Sequence, residues 1–416
     1  MKPLRILWTL PYLPWPVTSG GKSRQFNLIR EMAARGHRIT LLIQSKTPAD
    51  EATRRVLGAL AEEVIVLPRR PLKHPATLWR AATSRQPLLT TINGHAPALS
   101  ARFERLLAEQ KWDIVQVEHS YGFQPFEQAL RRHRQRFVIT EHNVESALGA
   151  ATYGKWPAWM RGLAAWDQRR ARHWERHVLS QASAIVAVTQ SDAGQLGAIG
   201  NGRPTHVVSN GVDTRAFASV RHDPASRTVL FLGNYEYAPN VDAVEWALTE
   251  IAPKVWAASP DVRFRICGHG MPESWAKRFP DGRIEWLGYV PDLTEVQSRS
   301  AVFLAPLRFG GGSKLKVLEA MAAGLPIVST REGLSGLPVT DGRHAVIADT
   351  PEAMALAVRQ ALDHPDAARA MGNAARALVQ AEFDWSAVAA QLEGVYASVL
   401  VSEAMPREPQ TANGGQ

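Results

Sequence analysis

The sequence predicts an α/β chain of two Rossmann-like domains, each a doubly wound parallel sheet, facing one another across a cleft. Three observations carry that expectation. Short apolar runs rich in Ile and Val alternate with longer amphipathic stretches, which is the rhythm of βα units in parallel sheets. The rhythm runs through the chain twice, with a pause over SNGVDTRAFASVRHDPASR, residues 209–227. The length of 416 residues, with 45% hydrophobic content, exceeds one ordinary core. It suits two domains of about 200 residues each.

In the first half the strand runs are RILWTL, RITLLI, VIVL, DIVQVE, FVIT, AIVAVT and HVVS, with helical patterns between several of them. The second half restarts at TVLFLGN and continues through VRFRICG, IEWLGYV, AVFLAPL, PIVST and HAVIAD. The expected domains are residues 1–211 and 212–383, then a helix at 384–400 packing back toward the first domain, then a polar, disordered tail at 401–416. Ligands of such sheets collect at the carboxyl ends of the strands, so the cleft is the candidate site.

A single cysteine, Cys267, excludes an intrachain disulfide and fits a reducing cytoplasm. The stretch ILWTLPYLPWPV follows Lys2 and Arg5 in the manner of a secretory signal, but Pro11, Pro14 and Pro16 break it and no small-residue cleavage site follows. It reads as a buried strand entering a loop. No window reaches the ~18 uninterrupted apolar residues of a spanning helix, so membrane contact is expected to be peripheral, on the inner face of the cell membrane. A net charge of +9 asks for an anionic partner: nucleotide phosphate, nucleic acid or lipid surface. No helix-turn-helix, zinc or aromatic RNA-binding pattern supports nucleic acid.

Two glycine-led helices carry the candidate chemistry. In PWPVTSGGKSRQFNLIREMAARGHRITLL, Gly20 and Gly21 follow the first strand, and a helix is expected from about Ser23 to Arg35, ending at Gly36. Unpaired backbone N–H groups and the helix dipole favour an anion there, with Lys22 and Arg24 adding charge. The plain alternative is a βα turn with solvated cations. The second loop, Gly310 to Ser313, precedes a helix expected from about Ser313 to Ala323, with Leu315, Val317, Leu318 and Ala322 on its buried side. Glu319 suits a ribose diol, and Lys314 or Lys316 a diphosphate. The alternative is a solvated Lys316/Glu319 pair, worth only ~0.2–0.5 kcal/mol. No GxGxxG dinucleotide fingerprint is present in the first loop. No D-x-D pair occurs anywhere, so no carboxylate pair is offered to hold a metal against a diphosphate.

A resemblance rests on several stretches in order: GG after strand one followed by RGHRITLL, THVVSNGVD at 205–213, ICGHG at 266–270, LGYVPD at 287–292, and KVLEAMAAGLPIVS. Together they resemble the GT-B glycosyltransferases of family 4 type, the retaining nucleotide-sugar enzymes, over nearly the whole chain. The resemblance implies that Glu319 is the second glutamate of the E-x7-E motif and binds the donor ribose. Gly311 stands where the first glutamate belongs, so backbone N–H groups of Gly311, Gly312 and Ser313 take over its sugar contacts. The family's Arg and Lys after the first strand of the second domain are not apparent in LGNYEYAPNVDAVEW. Phosphate charge then falls on Lys314 and Lys316, or on Lys22 and Arg24.

By the same resemblance His142, in VITEHNVES, is the catalytic residue near the reacting carbon, hydrogen bonding to a sugar hydroxyl or steadying charge as the bond opens. The alternative is a structurally satisfied histidine. Glu141, Asn143 and His119 are expected on the acceptor side, and Asn210 with Gly211 near the donor through backbone contacts, or simply as an Asn-Gly turn. The implied reaction is front-face transfer of a hexose from a donor such as a UDP- or GDP-sugar to a glycan or lipid-linked acceptor, in envelope or exopolysaccharide assembly. No metal or other cofactor is expected. A nucleotide-sugar epimerase of the same fold, or a catalytically degenerate scaffold, are the alternatives.

Residues 155–181, KWPAWMRGLAAWDQRRARHWERHVLSQ, place Trp159, Leu163, Trp166, Trp174 and Val178 roughly on one helical stripe beside Arg161, Arg169, Arg172 and Arg176. Such a helix either rests on an anionic membrane surface or packs its stripe on the first sheet with its arginines solvated. RRHRQR at 131–136 adds charge and reads equally as a surface helix end.

Overall fold

The structure, a computed structural model, describes residues 2–69, 75–84, 86–94, 96–147, 157–223, 225–310 and 314–404. The chain divides into two compact units: Met1–Val208 together with the chain from Ala389 on, and Ser209–Val388. In the first, every apolar run becomes a strand: β1 (Arg5–Leu10), β2 (Arg38–Ser45), β3 (Glu63–Pro68), β4 (Ile114–Glu118), β5 (Phe137–Glu141), β6 (Ala184–Ala187) and β7 (Thr205–Val207). All pairs are parallel, in the order β3-β2-β1-β4-β5-β6-β7. Parallel strands covered on both faces must be apolar throughout, and β4, β5 and β6 are buried along their whole length. Helices Pro97–Glu109 and Arg161–Leu179 supply Phe103, Leu106, Trp174 and Val178 to one face of this core.

The second unit repeats the plan with β8 (Thr228–Leu232), β9 (Arg263–Cys267), β10 (Ile284–Gly288), β11 (Val302–Ala305), β12 (Ile327–Ser329) and β13 (Val346–Ile347), in the parallel order β10-β9-β8-β11-β12-β13. Strand order reverses between β1 and β4 in one sheet and between β8 and β11 in the other. Those are the switch points at which such sheets open a crevice at their carboxyl ends. Each glycine-led helix starts at a carboxyl strand end of its own sheet.

Several boundaries differ from those expected. The first helix is Gly20–Ala34, so Gly20 and Gly21 are its opening residues and form no loop; the Ser19 side chain caps it by accepting from Lys22 N. The second begins at Leu315 and ends at Ala323, stopped by Gly324 in the left-handed region at φ 75°. Its buried face is Val317, Leu318 and Ala320–Ala323, while Leu315 is only half-buried. The units divide just before the expected 211, because Gly211 and Val212 pack within the second unit: Val212 N donates to Phe383 O at 2.8 Å, and the Thr214 hydroxyl donates to Asp384 Oδ2 at 2.5 Å. The last helix, Trp385–Ala404, runs past the expected 400. Beyond Ala389 it belongs to the first unit, where the Tyr396 hydroxyl donates to Gln116 Oε1 at 3.0 Å and Glu393 pairs with Arg35 and His37.

Candidate functional site

In the second unit the carboxyl ends of β8, β9 and β11 and the start of helix Leu315–Ala323 enclose a cavity of about 480 Å³. Glycines make its floor. Gly268 follows β9 at φ 144°, where a Cβ would fall 1.6 Å from Gly233 O, so only glycine lets the ends of these two parallel strands lie this close. Gly268 N also donates to Gly288 O at 2.6 Å. Gly268 of ICGHG thus serves backbone approach at the base of the cavity, and Gly233 of LGN lines it beside the Phe231 and Asn240 side chains.

Lys314, Lys316 and Glu319 all line it, and the structure distinguishes their roles. Lys314 is buried and already neutralised: its Nζ donates to Gly310 O at 2.8 Å and pairs with Glu332 at 3.1 Å. Lys316 Nζ donates to Asn240 Oδ1 at 2.6 Å and lies 4.5 Å from the Phe231 ring centroid. Burial, then the charge of Lys314, lowers its pKa from 10.5 to about 7. Burial likewise raises Glu319 from 4.5 to about 7. The solvated Lys316/Glu319 pair therefore does not form: among the described residues these two make no ion pair, and both are desolvated. An acceptor carboxylate and a donor ammonium, three residues apart on one helix and each short of its own counter-charge, suit a ligand carrying a diol and an anion. Val317 and Leu318 lock the helix into the core, where truncating Leu318 to Ala would cost roughly 2–5 kcal/mol.

Sequence reading missed the rim. Tyr237, Tyr289 and Phe309 line the cavity with half or more of some rings exposed, and Asn234, Asn240 and His269 add polar groups. Exposed aromatics at a cavity mouth offer stacking faces to a planar ring. Tyr289 was within reach, since LGYVPD puts an aromatic straight after a strand; Tyr237 and Phe309 come together only through the fold. Gly311, Gly312 and Ser313 lie outside the described residues. Asn210 and Gly211 are not among the residues lining this cavity. A Cβ on Gly211 would fall 2.8 Å from the Trp385 ring and 2.9 Å from Phe383 O, so this glycine serves packing.

In the first unit His142 sits just past the end of β5, half-buried, and its Nε2 donates to Glu118 Oε2 at 3.2 Å. Trp8 Nε1 donates to the other oxygen, Oε1, at 2.9 Å. Burial, then the neighbouring His119, lowers His142 to about 4, so the ring is neutral at pH 7. Burial would raise Glu118, but its hydrogen bond with His142, helped by the buried Arg24 guanidinium, holds it below the usual carboxylate range. An anionic Glu118 therefore keeps the proton on Nε2 and leaves Nδ1 as an acceptor. Nδ1 faces Gly21, where a Cβ would stand 3.4 Å away and 2.7 Å from the Tyr12 hydroxyl. Gly21 thus leaves room for the histidine beside the helix start.

Other first-unit expectations are corrected. Arg24 is fully buried beside Glu118, Tyr12 and Tyr396, and burial lowers its pKa to about 10; it is an interior cation and not a loop arginine open to phosphate. Lys22 Nζ reaches Pro16 O at 3.4 Å and lines a cavity of about 600 Å³ with Tyr12, Trp15, Lys46, Arg69 and Tyr121. His119 and Glu141, expected on the acceptor side, are interior residues. Both are buried, His119 at φ 63° with its ring stacked on Tyr121 and 4.3 Å from the His142 ring. Asn143 is half-buried.

The tryptophan stripe divides. Trp174 and Val178 enter the core, and Trp174 Nε1 donates to Ser120 O at 2.8 Å. Trp159 is 82% exposed, Leu163 46% and Trp166 44%. Arg161, Arg169, Arg172 and Arg176 are exposed, whereas the acids of the same helix, Asp167 and Glu175, are buried. Among the described residues no helix is long and apolar enough to cross a membrane.

Residues 18–216 match the sequence family described as Glycosyltransferase Family 4, and residues 226–364 the family described as Glycosyl transferases group 1. The chain is 25% identical to a glycogen synthase of Mycobacterium tuberculosis over 99% of its own length and 97% of that protein's. It is 34% identical to a phosphatidyl-myo-inositol mannosyltransferase of the same organism over 47% of this chain and 55% of the other. Two solved structures share the fold: sucrose-phosphate synthase from Thermosynechococcus elongatus (TM-score 0.67, 18% identity, covering 96% of this chain and 100% of the other) and Anabaena HepE in complex with UDP (TM-score 0.62, 15% identity, covering 95% and 100%).

Proposed function

We propose, from the premise that this chain belongs to the family 4 glycosyltransferases of GT-B fold, that it moves a hexose from a nucleotide-diphosphate sugar to a glycan or lipid-linked acceptor with retention. One observation carries the donor assignment: Glu319 and Lys316 are desolvated side by side in the second-unit cavity beneath an aromatic rim. Glu319 accepts from the ribose diol, Lys316 meets the diphosphate, and Tyr289 with Tyr237 or Phe309 flanks the base. HepE, which shares the fold, is described in complex with UDP and with UDP-glucose, which supports a uridine donor.

His142 accepts a hydrogen bond from a donor-sugar hydroxyl through Nδ1 and takes no proton, because a histidine whose pKa is lowered to about 4 is a poor base at pH 7. In the transfer the bond from the anomeric carbon to the diphosphate oxygen breaks. The acceptor oxygen bonds that carbon on the same face, and its proton passes to the departing diphosphate oxygen. The charge that develops there falls to Lys316 and the start of its helix, with no metal required at the diphosphate. The exposed Trp159 and Trp166 beside four arginines support an acceptor met at an anionic membrane surface inside the cell.

Calorimetric titration of UDP, GDP and ADP into the wild type and a folded Glu319→Ala variant tests the reading. Selective binding that the substitution weakens is expected. No binding of any of the three overturns the donor site. Selective binding without sugar transfer to any offered acceptor favours the degenerate scaffold, in keeping with Gly311 in place of a glutamate. Sugar conversion that needs no acceptor favours the epimerase.

A further inference from the structure

The first unit holds a buried group of charges that the transfer does not use. His119, Glu141 and Glu145 each direct one ligand-type atom toward the others, and these atoms all lie within 4.8 Å of one another. His119 Nδ1 is 3.6 Å from Glu145 Oε1 and 3.9 Å from Glu141 Oε2. His119 is 5% exposed and Glu141 fully buried, yet neither His119 Nδ1 nor Glu141 Oε2 has a hydrogen-bond partner. A third carboxylate, Glu175, is buried alongside: its Oε1 accepts from Glu145 N at 2.9 Å and its Oε2 has no partner.

The charges do not balance. Two carboxylates face one imidazole with a third, Glu175, bonded to the Glu145 backbone, and among the described residues no Lys or Arg pairs with Glu141, Glu145 or Glu175. Buried charge without a counter-charge is strongly unfavourable, and the unpartnered His119 Nδ1 and Glu141 Oε2 are placed to share a cation. The groups behind these ligand atoms orient them as a metal site requires. Ser120 N donates to Glu141 Oε1 at 2.7 Å and leaves Oε2 turned inward. Tyr12 lies 3.4 Å from His119 Nε2, which leaves Nδ1 for the pocket. Backbone at φ 63° holds the histidine in a conformation that a non-glycine residue adopts only when the surroundings impose it. Glu145, the least buried of the three, borders a cavity of about 50 Å³ shared with Tyr121 and Glu175, which gives an ion a way in.

We propose that His119, Glu141 and Glu145 bind one divalent transition-metal ion, zinc or manganese, with Glu175 orienting Glu145. A nitrogen ligand with carboxylate oxygens suits these ions, whereas calcium and magnesium favour oxygen throughout. The site is separate from the second-unit cavity and independent of the donor assignment. The ion anchors the His119 ring against His142 and neutralises the carboxylates behind it.

The test uses the full chain, with metal content read by elemental mass spectrometry. Wild type is expected to retain near-stoichiometric zinc or manganese, to lose Tm on chelation and to recover it when either ion is returned. Cobalt added to the chelated protein is expected to give a visible d–d band. Glu141→Gln is expected to lose the ion, the band and the response to chelator. Glu145→Gln, at the more open side of the pocket, gives the same comparison should Glu141→Gln fail to fold. Wild type that holds no metal, develops no cobalt band and melts identically with and without chelator overturns the proposal and leaves protons in the pocket. Folded variants that bind the ion as tightly as wild type overturn it equally, because the ion then lies elsewhere.

Discussion

Replacing Glu319 by Gln separates a ligand-binding role from a structural one, because the two effects carry opposite signs. Burial raises the Glu319 carboxyl from 4.5 to about 7. Its folded value lies above its unfolded one, so the fold favours the protonated acid. That contribution to stability is fully present below about pH 4.5 and is lost as the pH rises through about 7. The interval of about 2.5 pH units, at ~1.36 kcal/mol each, puts the cost of the ionised carboxylate at about 3 kcal/mol at pH 8. Gln keeps the shape and removes the charge. The ligand-free variant is therefore expected to gain up to about 3 kcal/mol at pH 8 and little at pH 5, a rise in Tm of roughly 5 °C or more at the higher pH. The same change weakens hydrogen bonds from a ribose diol to a charged acceptor, worth ~1.5–3 kcal/mol, so nucleotide affinity should fall ~10–100-fold. Thermal melts at pH 5 and pH 8, with calorimetric titration of UDP at pH 8, read both effects. A variant that is no more stable than wild type at pH 8, or one that binds nucleotide equally well, refutes the reasoning.

Burial and Lys314 lower Lys316 to about 7, below its unfolded value, so the fold favours the neutral amine and this stability is lost as the pH falls from about 10.5 through 7. Nucleotide binding at pH 8 should then take up a proton, seen as a binding heat that varies with buffer ionisation enthalpy; Lys316→Met should abolish the variation. Glu118→Gln should free the His142 tautomer and lower kcat on the order of 10²-fold with little change in donor KM, measured by steady-state transfer. Gly268→Ala should destabilise the second unit by more than about 3 kcal/mol in denaturant unfolding, because its Cβ meets Gly233 O. A Trp159→Ser, Trp166→Ser double variant should lose binding to vesicles rich in anionic lipid while keeping its melting temperature, and unchanged vesicle binding would remove the membrane surface from the acceptor reading.

The strands were legible because parallel sheets covered on both faces demand continuous apolar runs, and every such run is a strand. Glu319 was legible as a candidate because its motif and its helix both occur within one short stretch, and it lines the second-unit cavity. What failed in the sequence reading was burial. Arg24 and Lys22 are near neighbours in one helix, yet one is interior and the other lines a cavity. His119 and Glu141 looked like strand-end residues facing a ligand, and they face each other inside the unit. The tryptophan stripe kept a single periodicity while its two ends met different surroundings.

The sequence by itself determined the two βα repeats, the glycines at strand ends and the order of motifs that places the chain in its family. These follow from local chemistry: apolar periodicity, conformational permissiveness and residue type. Only the tertiary structure decided which charges are drawn from water, namely Lys316 and Glu319 without a mutual pair, Glu118 behind His142, and two carboxylates around His119. Desolvation and pairing depend on what is packed around a group from distant parts of the chain, and no spacing within the sequence encodes that.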